Sequence, residues 1–312
     1  MKSEKYSSHP LPGDTAEMIS LWQTTFQDSN EFVDLYFSRV YKPENTLVIK
    51  NDGKIVSALQ MIPYEIKIAD KIIPSAYVAG VCTLTHERGK GLMSILMSEA
   101  MDYMRQKGYG ITTLIPAYPW LFDIYKKFGY ICPINYSLEC YFNESGSDKR
   151  YLSQETTTSD YTFTLYSNKY FSYFDKKQRE RQCVLLHNEY DVENILCDLT
   201  NENGNVWVAL CGETPVGISF AYPISEKDII IKEILYDSLQ VKKSLIYHAL
   251  SAYNARTAKV FAHEFVNTET NNTETNNSTN PPDLKKTYPY GLACILDKQI
   301  VINDLYMTLM LD

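Results

Sequence analysis

One segment limits what this chain can become: Thr83-Leu84-Thr85-His86-Glu87-Arg88-Gly89-Lys90-Gly91-Leu92. It closes Ile73–Leu84, an apolar run that reads as a strand, and opens a stretch with helical periodicity from about Lys90 to Lys107. Leu92, Ile95, Leu96, Ala100, Met101 and Met104 line one face of that helix, and Gly108 supplies its C-cap. Gly89 and Gly91 free the backbone to turn several N–H groups toward one point. The helix start adds unpaired donors and the positive end of its dipole, while Arg88 and Lys90 add charge. Such a turn suits a pyrophosphate.

Other uses of a glycine-bearing turn fit less well. A P-loop places Ser or Thr after its lysine, whereas Gly91 follows Lys90. A dinucleotide fingerprint places a third glycine in the turn and sits directly after the first strand of its fold; neither holds here. An ordinary strand-to-helix turn with solvated charges remains open on these residues alone, so the surroundings must decide.

Upstream, Ala16, Ile19, Leu21, Trp22 and Phe26, then Phe32, Leu35, Tyr36 and Val40, recur near helical spacing. Thr46–Lys50 and Lys54–Met61 flank Asn51-Asp52-Gly53, a hairpin signal because both central positions of a type I′ turn take positive φ. Tyr64–Ala69 reads as a further strand. Downstream come a buried-type strand at Ile111–Ile115, a short helix at Leu121–Lys127 ending in Phe128-Gly129-Tyr130, and a strand at Ser137–Phe142. The polar run Asn143-Glu144-Ser145-Gly146-Ser147-Asp148 marks a domain boundary. Residues 1–145 then form one domain and 146–312 a second.

The second half echoes the first more faintly. Val192–Leu199 and Leu239–Tyr253 read as helices; Val206–Leu210, Val216–Ala221, Ile229–Leu235, Lys259–His263, Leu292–Leu296 and Leu305–Leu311 read as strands. The tandem polar repeat Asn267–Asn277, running on to Pro281-Pro282, has nothing to bury; 267–282 is expected to be a disordered, solvated loop.

Composition removes several function classes. The net charge of −8 argues against a nucleic-acid partner, which needs a basic surface. No stretch reaches the roughly 20 apolar residues of a membrane span, and Met1–Leu11 lacks a signal-peptide core, so a cytoplasmic protein without a membrane partner is expected. The seven cysteines are dispersed, as are the five histidines, which points to reduced thiols and no metal.

Val78–Tyr130 resembles the GCN5-related N-acetyltransferase (GNAT) superfamily, whose hallmark is R/Q-x-x-G-x-G/A. Gly89 and Gly91 carry its glycines, and its first residue falls on His86 in place of Arg or Gln. Arg88-Gly89-Lys90-Gly91 looks like the family's R-R/K-G-x-G variants, with Arg88 supplying the charge. The resemblance implies acetyl-CoA as donor, with Val81, Cys82 and Thr83 on a strand that splays from Ile111–Ile115 and holds the pantetheine arm. It implies that His86, Arg88, Gly89, Lys90, Gly91 and Leu92 take the pyrophosphate.

Leu121-Phe122-Asp123-Ile124-Tyr125-Lys126-Lys127-Phe128-Gly129-Tyr130 looks like the family's Y-x-x-x-G-F/Y segment, with Tyr125, Gly129 and Tyr130 in register. The family's tyrosine protonates the departing thiolate, which implies that role for Tyr125. A phenol suits it, being protonated at neutral pH yet able to donate as charge builds on sulfur. The same tyrosine could instead be core packing, in a chain with 25 tyrosines.

The match is nearest to the enhanced-intracellular-survival (Eis)-like branch, in which a second, degenerate acetyltransferase domain follows the first. The implied fold class is a mixed α/β sheet in tandem acyl-CoA N-acyltransferase folds, the second without a cofactor. No Asp or Glu lies in Tyr77–Leu84 to serve as base. In that branch the C-terminal carboxylate can do so, here on Asp312 after the apolar Leu309-Met310-Leu311. The implied activity is acetyl transfer to a primary amine of a small molecule or peptide. The competing classes are a non-catalytic acyl-CoA-binding protein and a transferase using another acyl donor. Tyr118, Trp120, Tyr64 and Trp22 could wall a pocket for a cationic acceptor, although core packing explains such aromatics equally.

Overall fold

The computed structural model describes residues 6–143, 161–262, 287–302 and 304–311. The turn-rich run at 144–148 and the polar repeat at 267–282 lie outside them. The chain divides into two compact units: Met1–Ile134 with Tyr166–Asn205 and Tyr290–Asp312, and Asn135–Leu165 with Val206–Pro289. The sequence reading places a single break near 145; the units instead draw on interleaved stretches of chain. Pairing between distant strands, which local patterns do not encode, decides that division.

The first unit begins with α1 (Thr15–Phe26) and α2 (Asn30–Leu35), the latter capped by the Ser29 hydroxyl, which accepts the Phe32 N–H. Then come β1 (Thr46–Asn51), β2 (Lys54–Ile68) and β3 (Lys71–Thr83). Asp52 and Gly53 at the first hairpin both have positive φ, as a type I′ turn requires. β2 runs unbroken through Pro63, where the sequence suggests two strands. On one side β1 pairs with residues 54–60 of β2 and β7, defined below, with 65–68, so Pro63 falls where that side has no ladder.

A crossover follows, from β3 through α3 (Leu92–Gln106) to β4 (Ile111–Leu114), parallel to β3, and then α4 (Leu121–Lys126). The helix starts at Leu92, two residues later than its periodicity suggests, because Gly91 stands at the cap with φ +79°. Leu92, Leu96, Met97, Ala100, Met101 and Met104 bury the inner face of α3 against Leu47, Val56, Val78 and Leu114.

The chain continues through β5 (Cys132–Phe142) and β6 (Tyr161–Leu165) of the second unit. It then supplies the first unit with α5 (Phe171–Arg179), β7 (Cys183–Leu186) and α6 (Glu189–Asn201). β6, α5 and β7 have no counterpart in the sequence reading: they are short, and β7 is a strand only because β2 offers it an edge. Arg39 below α2 ties α6 down through Asn194 and Glu193.

The second unit is completed by β8 (Asn205–Cys211), β9 (Thr214–Pro223), β10 (Asp228–Tyr236), α7 (Leu239–Ala252) and β11 (Thr257–Ala262). Its strands run in the order β5-β11-β10-β9-β8-β6. Val241, Leu245, Ile246, Ala249 and Leu250 of α7 bury one face of that sheet. Last, β12 (Thr287–Ile295) pairs antiparallel with β4 in the first unit, Leu292 opposite Leu114. Leu305–Leu311 is buried throughout but is not the regular strand its pattern suggests. It makes one bridge, Tyr306 to Val184, and Leu309 turns with φ +57°.

Candidate functional site

The site is built where β3 leaves β4. The two strands pair only from Ser75 opposite Ile111 to Tyr77 opposite Thr113, and Val78–Thr83 continue without β4. A bulge accompanies the parting. Ala79 faces Gln60 and Cys82 faces Ala58, so Gly80 and Val81 together oppose Leu59. Gly80 has φ +59°, and a Cβ there would stand 2.5 Å from Trp22 Cζ3. Glycine is therefore required by both the backbone and its neighbour.

Val81 packs toward the α3 core and the Cys82 side chain toward the α1–α2 core, so the parted edge offers backbone. Burial pushes the Cys82 thiol up to about 12, which leaves it an inert, protonated filler. Its carbonyl accepts from Ser57 Oγ at 2.8 Å, and the Ser57 hydroxyl also meets Thr83 Oγ1 at 2.7 Å.

The turn after β3 is organised by a residue the sequence reading did not single out. Glu87 is buried at 4% exposure, accepts from Asn51 Nδ2 at 3.2 Å and pairs with Lys90 Nζ at 3.1 Å. Arg88 Nε donates to the Thr83 carbonyl at 3.1 Å, closing the turn from the other side. A polar residue with no hydrophobic period gives no local signal of burial, which is why Glu87 is silent in sequence. His86, at the hallmark's first position, is exposed.

Gly89 (φ +76°) and Gly91 (φ +79°) both adopt the left-handed conformation, and a Cβ at either would meet nothing within 4 Å. Their requirement is conformational, and the space above them is open. α3 has no side-chain cap and no acidic residue in its first turn. Its first N–H groups and positive dipole end have no acceptor supplied by a capping side chain. An anionic pyrophosphate fits that donor set.

Leu92 and Val78 share one core with Tyr125 of α4, and Val81 packs against it. The Tyr125 ring is buried at 6% exposure and meets Tyr130 edge-on, centroids 6.1 Å apart. Desolvation pushes its phenol up to about 12, so it stays protonated across the neutral range. Tyr130 differs: fully buried, its hydroxyl is held by Thr112 Oγ1 at 3.0 Å. Gly129 (φ +91°) lies in the turn after α4, and a Cβ there would come within 3.1 Å of Cys294 Sγ.

Asp312 lies outside the described residues. The run before it packs Leu305, Met307 and Met310 with Tyr77, Ala79 and Leu185, and the Thr308 carbonyl lies 2.9 Å from His187 Nε2. Among the other aromatics considered for an acceptor pocket, Trp22 is core, its indole N–H given to Asp28 at 2.7 Å, and Tyr64 meets His187 edge-on. Tyr118 and Trp120 are exposed. Among the described residues, no group of three or more His, Cys, Asp or Glu is placed to hold a metal. No helix of the described residues is long and apolar enough to cross a membrane.

Residues 11–132 match the family described as acetyltransferase (GNAT) domain. Among curated proteins no sequence match was found. Similar solved structures include a conserved Enterococcus faecalis V583 protein of unknown function, described as a probable N-acyltransferase. It has 16% identity and TM-score 0.72 over 95% of this chain and 74% of its own. Eis1 from Mycobacterium abscessus has 9% identity and TM-score 0.65, over 95% and 74%. Saccharomyces cerevisiae N-myristoyltransferase with bound myristoyl-CoA has 9% identity and TM-score 0.52, over 84% and 73%. The family match is confined to residues 11–132, and the chain has the mixed α/β fold of the GNAT acyltransferases.

Proposed function

We propose that this protein is an acetyl-CoA-dependent N-acetyltransferase acting on a primary amine of a small molecule or peptide. The observation that carries the reading is the parted β3 edge leading straight into an uncapped, glycine-bearing helix start. The backbone of Val81, Cys82 and Thr83 lies along the pantetheine arm. The turn from His86 through Arg88, Gly89, Lys90 and Gly91 to Leu92 takes the pyrophosphate.

The chemistry is a single displacement. The neutral amine attacks the thioester carbonyl, a C–N bond forms and the C–S bond breaks. The departing thiolate takes the Tyr125 proton, and the proton lost from nitrogen restores the phenol through water. Tyr125 suits the acid role because its apolar surroundings keep it protonated, and no protein hydrogen bond among the described residues competes for its hydroxyl. We take the second unit as a degenerate copy that binds no cofactor, and the protein as cytoplasmic, in keeping with its dispersed free cysteines.

The test is thiol release from acetyl-CoA with polyamines, aminoglycosides and peptides as acceptors. Amine-dependent release is expected. Tight CoA binding with no turnover of any amine would leave a binding protein and overturn the catalytic half.

A further inference from the structure

Tyr118 and Trp120 are 60% and 61% exposed, in the loop Ile115–Trp120 between β4 and α4. Their rings lie nearly parallel, 9° apart in plane with centroids 6.3 Å apart. Neither belongs to a core cluster, so packing does not account for them. The strand register places them. β4 parts from β3 just past Thr113, and the loop starts after Leu114, so it leaves the sheet at the mouth of the opening. Its far end is the start of α4, the helix that carries Tyr125.

The two rings stack on each other, and their electron-rich faces hold no cation from the described residues. Elsewhere in this unit rings hold cations of the chain itself: Arg39 lies 5.0 Å over the exposed Tyr190, and Arg181 3.8 Å over the buried Tyr306. Among the described residues, no lysine or arginine lies over Tyr118 or Trp120. Aromatic faces attract ammonium groups through the ring quadrupole, and a chain of net charge −8 favours cations generally.

We propose that Tyr118 and Trp120 form a cation-holding clamp that selects acceptors carrying a second ammonium group besides the nitrogen that is acylated. The inference rests on the acyl-transfer reading, because it assigns the clamp to the acceptor. It divides the labour chemically: the reacting amine must be neutral to attack, while the remote one stays charged and binds the rings. Trp120 and Tyr118 are thus specificity residues and take no part in proton transfer.

The experiment compares spermidine with n-octylamine, a chain of similar reach carrying one amine, on the full-length protein. In the Tyr118→Ala/Trp120→Ala variant the ratio of kcat/KM for spermidine over octylamine is expected to fall about 5- to 30-fold, the loss residing in KM. Trp120→Phe, which keeps a ring face, should recover part of the ratio. CoA affinity by calorimetry serves as the folding control. A ratio unchanged within twofold, with CoA still bound, overturns the clamp. If the unmodified protein acylates no amine, the acyl-transfer reading fails on its own. Calorimetry of spermidine against the CoA-loaded protein then decides the clamp. Binding lost in the double alanine variant supports it, and equal or undetectable binding in both overturns it.

Discussion

The two crossovers, β3–α3–β4 and β10–α7–β11, share a frame and differ in one turn. In both, the parallel pair is short: Ser75–Tyr77 with Ile111–Thr113 in one, Asp228–Ile231 with Thr257–Val260 in the other. Both first strands carry a bulge against their antiparallel neighbour, and both continue past their parallel partner. From Thr83 to Leu92, however, the first unit spends eight residues and two left-handed glycines. The second spends only Asp237 and Ser238 between Tyr236 and Leu239. Ser238 caps α7, its hydroxyl accepting the Val241 N–H at 3.3 Å, and Glu233 is buried just past the bulge. Each region pairs a lysine with a carboxylate, Lys90 with Glu87 at 3.1 Å and Lys242 with Glu139 at 2.6 Å, so the cap and the glycines make the difference. A parted strand is therefore not a site by itself. The donors must also be left uncapped.

The largest effect is expected from the turn that distinguishes the two units. Gly89→Val with Gly91→Val forces β-branched residues to positive φ and should weaken CoA binding at least about 100-fold, with the far-ultraviolet circular dichroism unchanged. Unchanged affinity in calorimetry would remove the site from this turn. Unit two lacks the features, so the intact protein should bind one CoA per chain.

Tyr125→Phe tests whether the first unit adds chemistry to binding. It should lower kcat about 100-fold while leaving the CoA dissociation constant within twofold. Steady-state kinetics at saturating amine checks both. A smaller loss would assign the ring to packing.

The bulge is common to both units, but only the first builds it on glycine. Gly80→Ala should cost about 2–4 kcal/mol, from positive φ and from a Cβ 2.5 Å from Trp22, as read by urea denaturation. CoA affinity should fall with it, since the bulge bends the parted edge. The second bulge, at Lys232, needs no glycine and no positive φ.

Alkali probes the buried phenol. Tyr125 rises from an ordinary 10.0 to about 12 on burial, so its neutral form is favoured in the folded state. The stability this lends is whole below pH 10 and is lost as pH climbs from 10 toward 12. The stability difference between the native protein and Tyr125→Phe should hold level to pH 10 and change above it. The smallest effect belongs to the capped unit. Ser238→Ala should lower stability by about 1 kcal/mol and leave CoA binding untouched.

Much of the first unit is legible in residues 46–130 because local chemistry there agrees with the fold. Asp52-Gly53 sets its hairpin, the periodicity of Leu92–Met104 sets α3, and Gly108 ends it. The glycines at 89 and 91 mark the turn. What stays hidden depends on partners far along the chain. Glu87 is buried because Asn51 and Lys90 meet it, and β7 pairs with β2 across more than a hundred residues. Leu305–Leu311 is an apolar run like a buried strand, yet only Tyr306 finds a ladder partner and the rest is packed as coil.

Local chemistry is enough to run a strand into a glycine turn and a helix start, with Tyr125 one short helix later. Those features follow from φ preferences and from the spacing of apolar residues, which act over a few positions. The parting of β3 from β4 at Tyr77 comes from long-range pairing, because a strand is split by its bulge and by what its neighbours leave unpaired. Tertiary packing divided the aromatics as well: Trp22 went into the core against Gly80, while Tyr118 and Trp120 stayed in water. Burial depends on the whole assembled surface, and no local pattern in those residues carries that information.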